Sequence, residues 1–293
     1  MRGIFSERNF ILPDNLPAIS ANMSNEDLMR ATGQKVEDFS SSLPRLKVNY
    51  QDEDADGHEL PRGYWYLSIE GKAILAKDVM FRPFYTTFQY SHYDQEEQKL
   101  VSVSAHFSDF RSEIIDSAGG FKCGKLSPKE REQLSPKEQE QQKSIKCSKV
   151  IYGLATISGK TPSGEDAEAA NVPCVFFARG SNFMPMSGFF TSLTKRNMLM
   201  QTVNAKLVPI KKKNGGVTYW EIAPEVVDTV VLTPEDFELL TVFNDTIHAE
   251  NEHIKEQWYK NRSQKKAGVP EAAAKILGGS IKHDFDDELP ILA

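Results

Sequence analysis

Short runs of alternating or β-branched residues recur through the middle of this sequence. Such runs, when Gly, Pro and Asn clusters separate them, are typical of β-strands joined by turns. Because the runs are short and several connections between them are long, we expect a mainly β fold with α insertions, built on an OB-like, five-stranded Greek-key barrel. The predicted strands span residues 45–50, 64–69, 79–93, 100–107, 149–157, 172–178, 203–210 and 217–222.

Helix signals flank and interrupt this β body. Ser24 and Thr233 each precede acidic residues in a first turn, which is the pattern of a helix N-terminus. The first predicted helix is short and ends near Phe39, whereas the second is long and carries apolar residues on one side. A Leu-Ser-Pro-Lys-Glu motif starts at residue 126 and again at residue 134 inside a polar stretch, which predicts an exposed helical insertion.

The expected domain organisation has four parts. An N-terminal arm with a short helix spans residues 1–43, and an OB-like body spans residues 44–232 with the helical insertion at about 125–147. The long C-terminal helix spans residues 233–263. A flexible Gly-rich linker and a disordered acidic tip form residues 264–293.

The composition allows a sizeable core, but the charge is unevenly distributed. The 293 residues are 40% hydrophobic and 10% aromatic. Their net charge of −6 argues by itself against a polyanionic partner. Residues 169–220, however, contain no Asp or Glu and carry seven basic side chains interleaved with seven aromatic ones. A second acid-free window, residues 79–93, contains six aromatic residues.

Basic residues interleaved with aromatic ones are typical of a groove for a single nucleic-acid strand. Cations contact the phosphates, and unpaired bases stack on Phe, Tyr or Trp. The two windows therefore predict a sequence-tolerant single-strand-binding surface, with burial in the β core as the competing interpretation for each aromatic residue. The predicted nucleic-acid-binding residues are Arg82, Tyr85, Tyr90, Tyr93, Arg179, Phe183, Phe189, Lys195, Arg196, Lys206, Lys211, Lys212, Lys213, Tyr219 and Trp220.

The chain ends with four carboxylates around one Phe, followed by Pro and aliphatic residues. This end resembles the acidic tip of bacterial single-stranded DNA-binding proteins, in which an Asp-Phe-Asp-Asp run precedes an aliphatic-Pro-Phe terminus. The chain departs from that pattern by finishing on Ile291-Leu292-Ala293. The resemblance implies that the tip recruits replication or repair proteins, and a tail that only aids solubility is the alternative. The residues given this role are Asp284, Phe285, Asp286, Asp287, Glu288, Leu289 and Pro290.

The large body with insertions resembles, in its architecture, the single-stranded DNA-binding proteins of tailed bacteriophages. This resemblance implies a protein that coats and protects single-stranded DNA during replication, recombination or repair. A strand-annealing mediator and a metal-dependent nuclease are alternatives, although the carboxylates that a nuclease needs lie outside the basic window. We therefore predict no enzymatic activity and no catalytic residues.

The spacing of the cysteines and the lack of long apolar runs favour a cytoplasmic location. Three cysteines far apart in sequence are a poor disulfide framework, and no signal peptide or membrane span is evident. We therefore expect a cytoplasmic protein, in the host cytoplasm if a phage encodes it, with no membrane partner.

Two metal-site patterns are present only in part, and we predict no cofactor. Residues 52–57 begin like a calcium-binding loop, but Gly63 occupies the position of the final Glu ligand, so an acidic hairpin is the prediction. A zinc site would need Cys123, Cys147 and Cys174 together with His106 or His92. These cysteines lack the close C-x-x-C spacing of zinc sites, which favours free thiols.

Overall fold

The computed structural model describes residues 43–94, 99–112, 114–119, 129 and 132–266. The predicted short N-terminal helix, Cys123, and the linker and acidic tip beyond residue 266 lie outside the described residues.

In the described part of the chain, nine strands form one sheet, and a long helix follows them. The prediction of a mainly β fold with a long C-terminal helix is therefore confirmed. The strands are β1 (Arg45–Val48), β2 (Trp65–Ile69), β3 (Lys72–Ala76), β4 (Val79–Asp94), β5 (Lys99–Val103), β6 (Ile145–Lys160), β7 (Asp166–Ala178), β8 (Val203–Asn214) and β9 (Val217–Thr229). The α-helices are α1 (Pro136–Ser144), α2 (Phe183–Lys195) and α3 (Pro234–Lys266). Short 3-10 turns lie at Gly180–Asn182 and Met200–Thr202.

The sheet order is β3-β2-β1-β7-β6-β4-β8-β9, and β5 pairs with β4 outside this path. Strand β1 pairs in parallel with β7, whereas β1 and β2, β2 and β3, and β6 and β7 pair antiparallel. One further antiparallel pair, Leu75 with Lys160, joins β3 to β6. Strands β1, β2, β3, β6 and β7 are thus linked by a cyclic path of pairings.

Alternation along the short strands decides which side chains enter the main core. In β1, Leu46 and Val48 are buried, and in β2, Trp65 and Leu67 are buried. Their neighbours along each strand therefore point to the opposite face of the sheet. The Trp65 indole N–H donates to the carbonyl of Leu207 at 2.8 Å, so this buried polar group is satisfied.

The long strands β4, β6 and β7 are covered on both faces. On one face, α2 contributes Met186, Phe189 and Leu193 to the main core. On the other, Phe243 and Ile247 of α3 join a second buried cluster. Double coverage explains why the aromatic residues of β4 are packed on both sides of that strand, since each face meets a different core.

Helix α3 is anchored to the sheet by polar contacts as well as by apolar packing. At its start, Arg82 donates to Asp236 at 2.6 Å, and the backbone N–H of Thr233 donates to the same carboxylate at 2.8 Å. Further along, Glu250 lies 2.6 Å from the ring Nε2 of His106. These contacts fix the helix across β4.

The sequence prediction lacks two elements of the structure, α2 and β3. The predicted helical insertion is confirmed in part. Helix α2 lies in the acid-free window between two predicted strands, where no helix is predicted, and β3 is not predicted at all. Within the predicted insertion, α1 forms with a capping box between Ser135 and Glu138. The acidic hairpin is also confirmed, because Glu53 and Glu59 form a β-bridge.

In the part of the chain that the structure describes, no helix combines the length and the apolar character needed to cross a membrane.

Candidate nucleic-acid interface

The outward faces of β2, β1 and β7 carry two cations that each lie over an aromatic ring. The Nζ atom of Lys47 lies 4.8 Å from the ring centroid of Tyr66. The Cζ atom of Arg45 lies 4.8 Å from the ring centroid of Phe177. With Arg179, these residues define the cationic aromatic face.

Strand alternation places all these side chains on one side of the sheet. Lys47 pairs directly with Tyr66, so the two side chains are cross-strand neighbours. Arg45 pairs in parallel with Val175, and Phe177 follows two residues later on β7. Because Leu46, Trp65 and Phe176 point into the main core, their neighbours point outward.

Arg179 extends this face past the end of β7. Its backbone is extended, with φ −132° and ψ 167°, so the alternation of β7 continues through it. Burial raises the pKa of Tyr50, and a backbone hydrogen bond from Trp220 and the positive charge of Arg179 oppose that rise. The Arg179 guanidinium therefore lies in the same neighbourhood as Tyr50.

The arrangement provides the two kinds of contact that a single nucleic-acid strand needs. Three cations on adjacent strands can bind successive phosphates. The half-buried ring of Tyr66 offers aromatic surface to a base beside those phosphates, whereas Phe177 packs against the second buried cluster. Each cation also stabilises its ring partner by a cation–π contact, which holds both side chains in place.

Three of the predicted base-stacking residues are buried, and we leave them out of the interface. Tyr90 is 7% exposed, and its ring stacks on Phe107 at 5.2 Å. Phe189 is 7% exposed on the inner side of α2. Trp220 is 9% exposed and meets Tyr50 edge to face at 5.4 Å. These rings have no face left for a base.

Arg82 and Tyr85 belong to the contact between the sheet and α3. The side chain of Arg82 is 15% exposed and is engaged by Asp236 and by the carbonyl of Gln201. Tyr85 is half-buried against the cluster that contains Phe243. We assign both residues to the docking of α3 and leave them out of the interface.

The basic residues of the acid-free window are spread over separate elements. Lys195 and Arg196 are exposed at the C-terminal end of α2. Lys206 forms an ion pair with Asp78 at 3.3 Å. Strands β8 and β9 form a hairpin, in which Asn214 pairs with Val217 beside the tip. The tip lysines Lys211 and Lys213 are exposed, and Lys212 lies 4.0 Å from Glu221.

The remaining predicted aromatic residues are half-buried at three different places. Tyr93 lies near the end of β4 opposite Leu100, and Tyr219 pairs with Lys212 in the β8–β9 hairpin. Phe183 begins α2, with its ring 6.0 Å from that of Phe88. All the predicted partner-binding residues, Asp284 to Pro290, lie outside the described residues.

Sequence reasoning missed four residues of the cationic aromatic face: Arg45, Lys47, Tyr66 and Phe177. A signal was present in Arg45-Leu46-Lys47-Val48, where two basic residues alternate with two aliphatic ones. This pattern predicts a strand with one buried and one cationic face. It lies outside the acid-free windows, so charge counting alone does not reveal it.

Among the described residues, the two cysteines lie too far apart to bind one zinc ion together. Cys174 is fully buried in the main core and pairs with Gly153. Cys147 lies on the same strand as Gly153 but six residues away, about 20 Å at strand spacing. Burial raises the pKa of both thiols, to about 11 for Cys147, which favours their neutral form.

In the acidic hairpin, the possible metal-ligating atoms of Asp54, Asp56 and His58 lie within 4.8 Å of one another. Backbone N–H groups of Asp56 and His58 donate to Asp54, and these hydrogen bonds explain the hairpin turn. His58 also contacts the second oxygen of Asp54 at 3.0 Å. The group therefore has a structural role without an ion.

Comparison with models of protein families, with curated protein sequences and with solved structures finds no match to this chain.

Proposed function

We propose that this protein binds single-stranded DNA without strong sequence preference, and that the cationic aromatic face is its main contact surface. The observation that carries the proposal is the pair of cation–ring contacts, Lys47 with Tyr66 and Arg45 with Phe177, on adjoining strands. A single strand presents phosphates that the cations of this face can bind and bases that can stack on Tyr66. Contacts of these two kinds do not depend on base identity.

The cyclic path of strand pairings supports an OB-like barrel as the scaffold of this face. The path runs from β3 through β2, β1 and β7 to β6, and the pair of Leu75 with Lys160 links β6 back to β3. OB folds bind oligonucleotides on the outside of their strands. The cationic aromatic face lies on that side, opposite the buried Leu46 and Trp65.

In the cell, such a protein coats and protects single strands during replication, recombination or repair. Its acidic tip, residues 284–293, recruits other proteins of these processes. This second role is supported by the sequence of the tip, where carboxylates surround Phe285 and apolar residues follow. A bacteriophage protein acting in the host cytoplasm fits both roles.

Substitutions on the face test the proposal. Lys47→Gln removes one cation, and Tyr66→Ala removes one ring. Lys72→Gln on β3 is the matched control, since Lys72 is exposed but lies outside the face. Affinity for a fluorescent 20-nucleotide oligo-dT strand is measured by anisotropy at several salt concentrations, and folding is checked by circular dichroism.

We expect Tyr66→Ala to weaken binding by about tenfold, which is within the roughly 1–3 kcal/mol of one stacked base. Lys47→Gln is expected to reduce the magnitude of the salt slope by about 0.7, the value for one phosphate contact on a single strand. If both variants bind like Lys72→Gln while the unaltered protein binds the strand, the face is not the contact surface.

A further inference from the structure

Lys149 is a buried lysine outside the cationic aromatic face. Only 8% of the residue is exposed, although it lies on β6 near the end of the sheet. Its ammonium lies 4.4 Å from the ring centroid of Phe88 and 5.4 Å from that of Phe190. Strand β4 supplies the first ring, directly opposite Lys149 in register, and α2 supplies the second.

The ammonium of Lys149 has no anionic partner in the structure as described. Among the described residues, no carboxylate lies within ion-pair distance and no oxygen accepts a hydrogen bond from it. Burial lowers the pKa of Lys149 because the charged form loses water. Two aromatic faces offset part of that cost, but three N–H donors remain for an acceptor.

An exposed aromatic rim surrounds this lysine. Phe110 is 46% exposed, and its ring centroid lies 4.6 Å from that of Phe88. Phe183 approaches Phe88 from the start of α2. Next to it, Met184 is 72% exposed. Phe110 therefore offers exposed aromatic surface next to Phe88, the ring that contacts Lys149.

We infer that Lys149 and the rings of Phe88, Phe110 and Phe183 form a nucleotide subsite, in which the ammonium binds one phosphate and Phe110 stacks on the adjoining base. A nucleotide combines one anion with one flat aromatic group, and the site combines one ammonium with aromatic rings linked through Phe88. This inference rests on the proposed function, because it assigns the subsite to the same single strand of DNA.

The subsite and the cationic aromatic face are on opposite sides of the sheet but meet at one end of β7. Lys149 pairs with Ala178, which points into the main core. Arg179 is the next residue and belongs to the cationic aromatic face. A strand bound along that face therefore reaches Lys149 by passing around Arg179.

The test uses the full chain with Lys149→Met, which keeps the apolar stem and removes the ammonium, and with Phe110→Ala at an exposed position. Lys160→Met is the matched control, because Lys160 lies on the same strand and its side chain is 67% exposed. Anisotropy with fluorescent oligo-dT of 20 nucleotides gives affinity and salt slope. The same strand carrying 5-iodouracil is photo-crosslinked, and the tryptic peptides are mapped by mass spectrometry.

We expect Lys149→Met to weaken binding about fivefold at low salt and to reduce the magnitude of the salt slope by about 0.7, relative to Lys160→Met. Phe110→Ala is expected to weaken binding at least fivefold. The crosslink is expected in the tryptic peptide of residues 100–111, which contains Phe110. Phe110→Ala and the crosslink keep the test decisive if Lys149→Met does not fold.

The outcomes separate the subsite from the proposed function. If the unaltered protein does not bind the strand, the proposed function is wrong and the subsite fails with it. If it binds, but both variants match Lys160→Met and no crosslink reaches residues 100–111, only the subsite is overturned. Loss of binding to an acidic peptide of residues 284–293 in Phe110→Ala, with DNA binding unchanged, also overturns the nucleotide assignment.

Discussion

Trp220 packs its indole against the backbone of Gly63 and edge-on against Tyr50. A Cβ atom at Gly63 would overlap that indole, and its φ of 81° is also unfavourable for other residues. Trp220 is therefore part of the core that supports β9.

Replacement of Trp220 by Ala is expected to lower the free energy of unfolding by about 3–5 kcal/mol, as for other buried aromatic residues. Gly63→Ala is expected to destabilise the protein as well, because the indole must move. Urea denaturation measures both effects. The affinity of the folded variants for single strands should not change. If Trp220→Ala lowers that affinity without lowering the free energy of unfolding, Trp220 contacts DNA and is not a core residue.

The abundance of aromatic residues could be predicted from sequence, but not the face that each one occupies. In β1, the alternation of aliphatic and basic residues leaves one choice, so the outward position of Lys47 follows from sequence alone. In β4, aromatic side chains point to both faces of the strand, and other parts of the protein cover both faces. Only the packing of Tyr90 against Phe107 distinguishes its core position from an exposed one.

At the scale of elements, α2 shows why a helix was missed. Pro185 and Gly188 suggest a loop, yet Pro185 lies in the first turn, where a helix tolerates proline. Met186, Phe189 and Leu193 recur at helical spacing and are all buried. The prediction for this segment used only its aromatic and basic composition, whereas its apolar period favours a helix.

The attachment of α3 depends on the ion pair between Arg82 and Asp236. Burial alone would raise the pKa of Asp236, but hydrogen bonds from Arg82 and the N–H of Thr233 outweigh it and lower that pKa. The side chain of Asp236 is 6% exposed, so screening by water is small. Removal of one partner leaves a buried charge, which typically costs about 3–5 kcal/mol.

Asp236→Asn is therefore expected to lower the free energy of unfolding at pH 7, whereas Glu238→Ala, two residues further along the helix, is exposed and serves as the control. Because the folded pKa is depressed, the contribution of Asp236 is present above its unfolded pKa and is lost as pH falls through the folded pKa. Urea denaturation between pH 7 and pH 2 should show the two curves converging below about pH 4. If the difference in unfolding free energy between the unaltered protein and Asp236→Asn stays constant over this pH range, the ion pair is not the cause of that difference.

At the scale of the whole molecule, the acidic tip and the basic face carry opposite charges. Deletion of residues 284–293 removes four carboxylates and changes the formal net charge from −6 to −2. We expect equal or tighter binding to single strands, with the largest gain at low salt, where screening is weakest. Phe285→Ala keeps the charge, so it should leave DNA affinity unchanged.

Both tip variants are expected to lose partner proteins in a pull-down from host extract, because Phe285 supplies an apolar anchor that the carboxylates flank. A tail that only aids solubility predicts that the full-length protein and both variants retain the same proteins on the same strand. That result would remove the recruiting role.

The most direct test of single-strand binding is the affinity of the unaltered protein for a 20-nucleotide strand and for its duplex, measured at several salt concentrations. We expect at least tenfold tighter binding to the single strand, because only unpaired bases expose faces to Tyr66 and Phe110. With Arg45, Lys47, Arg179 and Lys149 contacting phosphates, the slope of log affinity on log salt should be about −2 to −3. A slope near zero, or equal affinity for the duplex, would contradict the account.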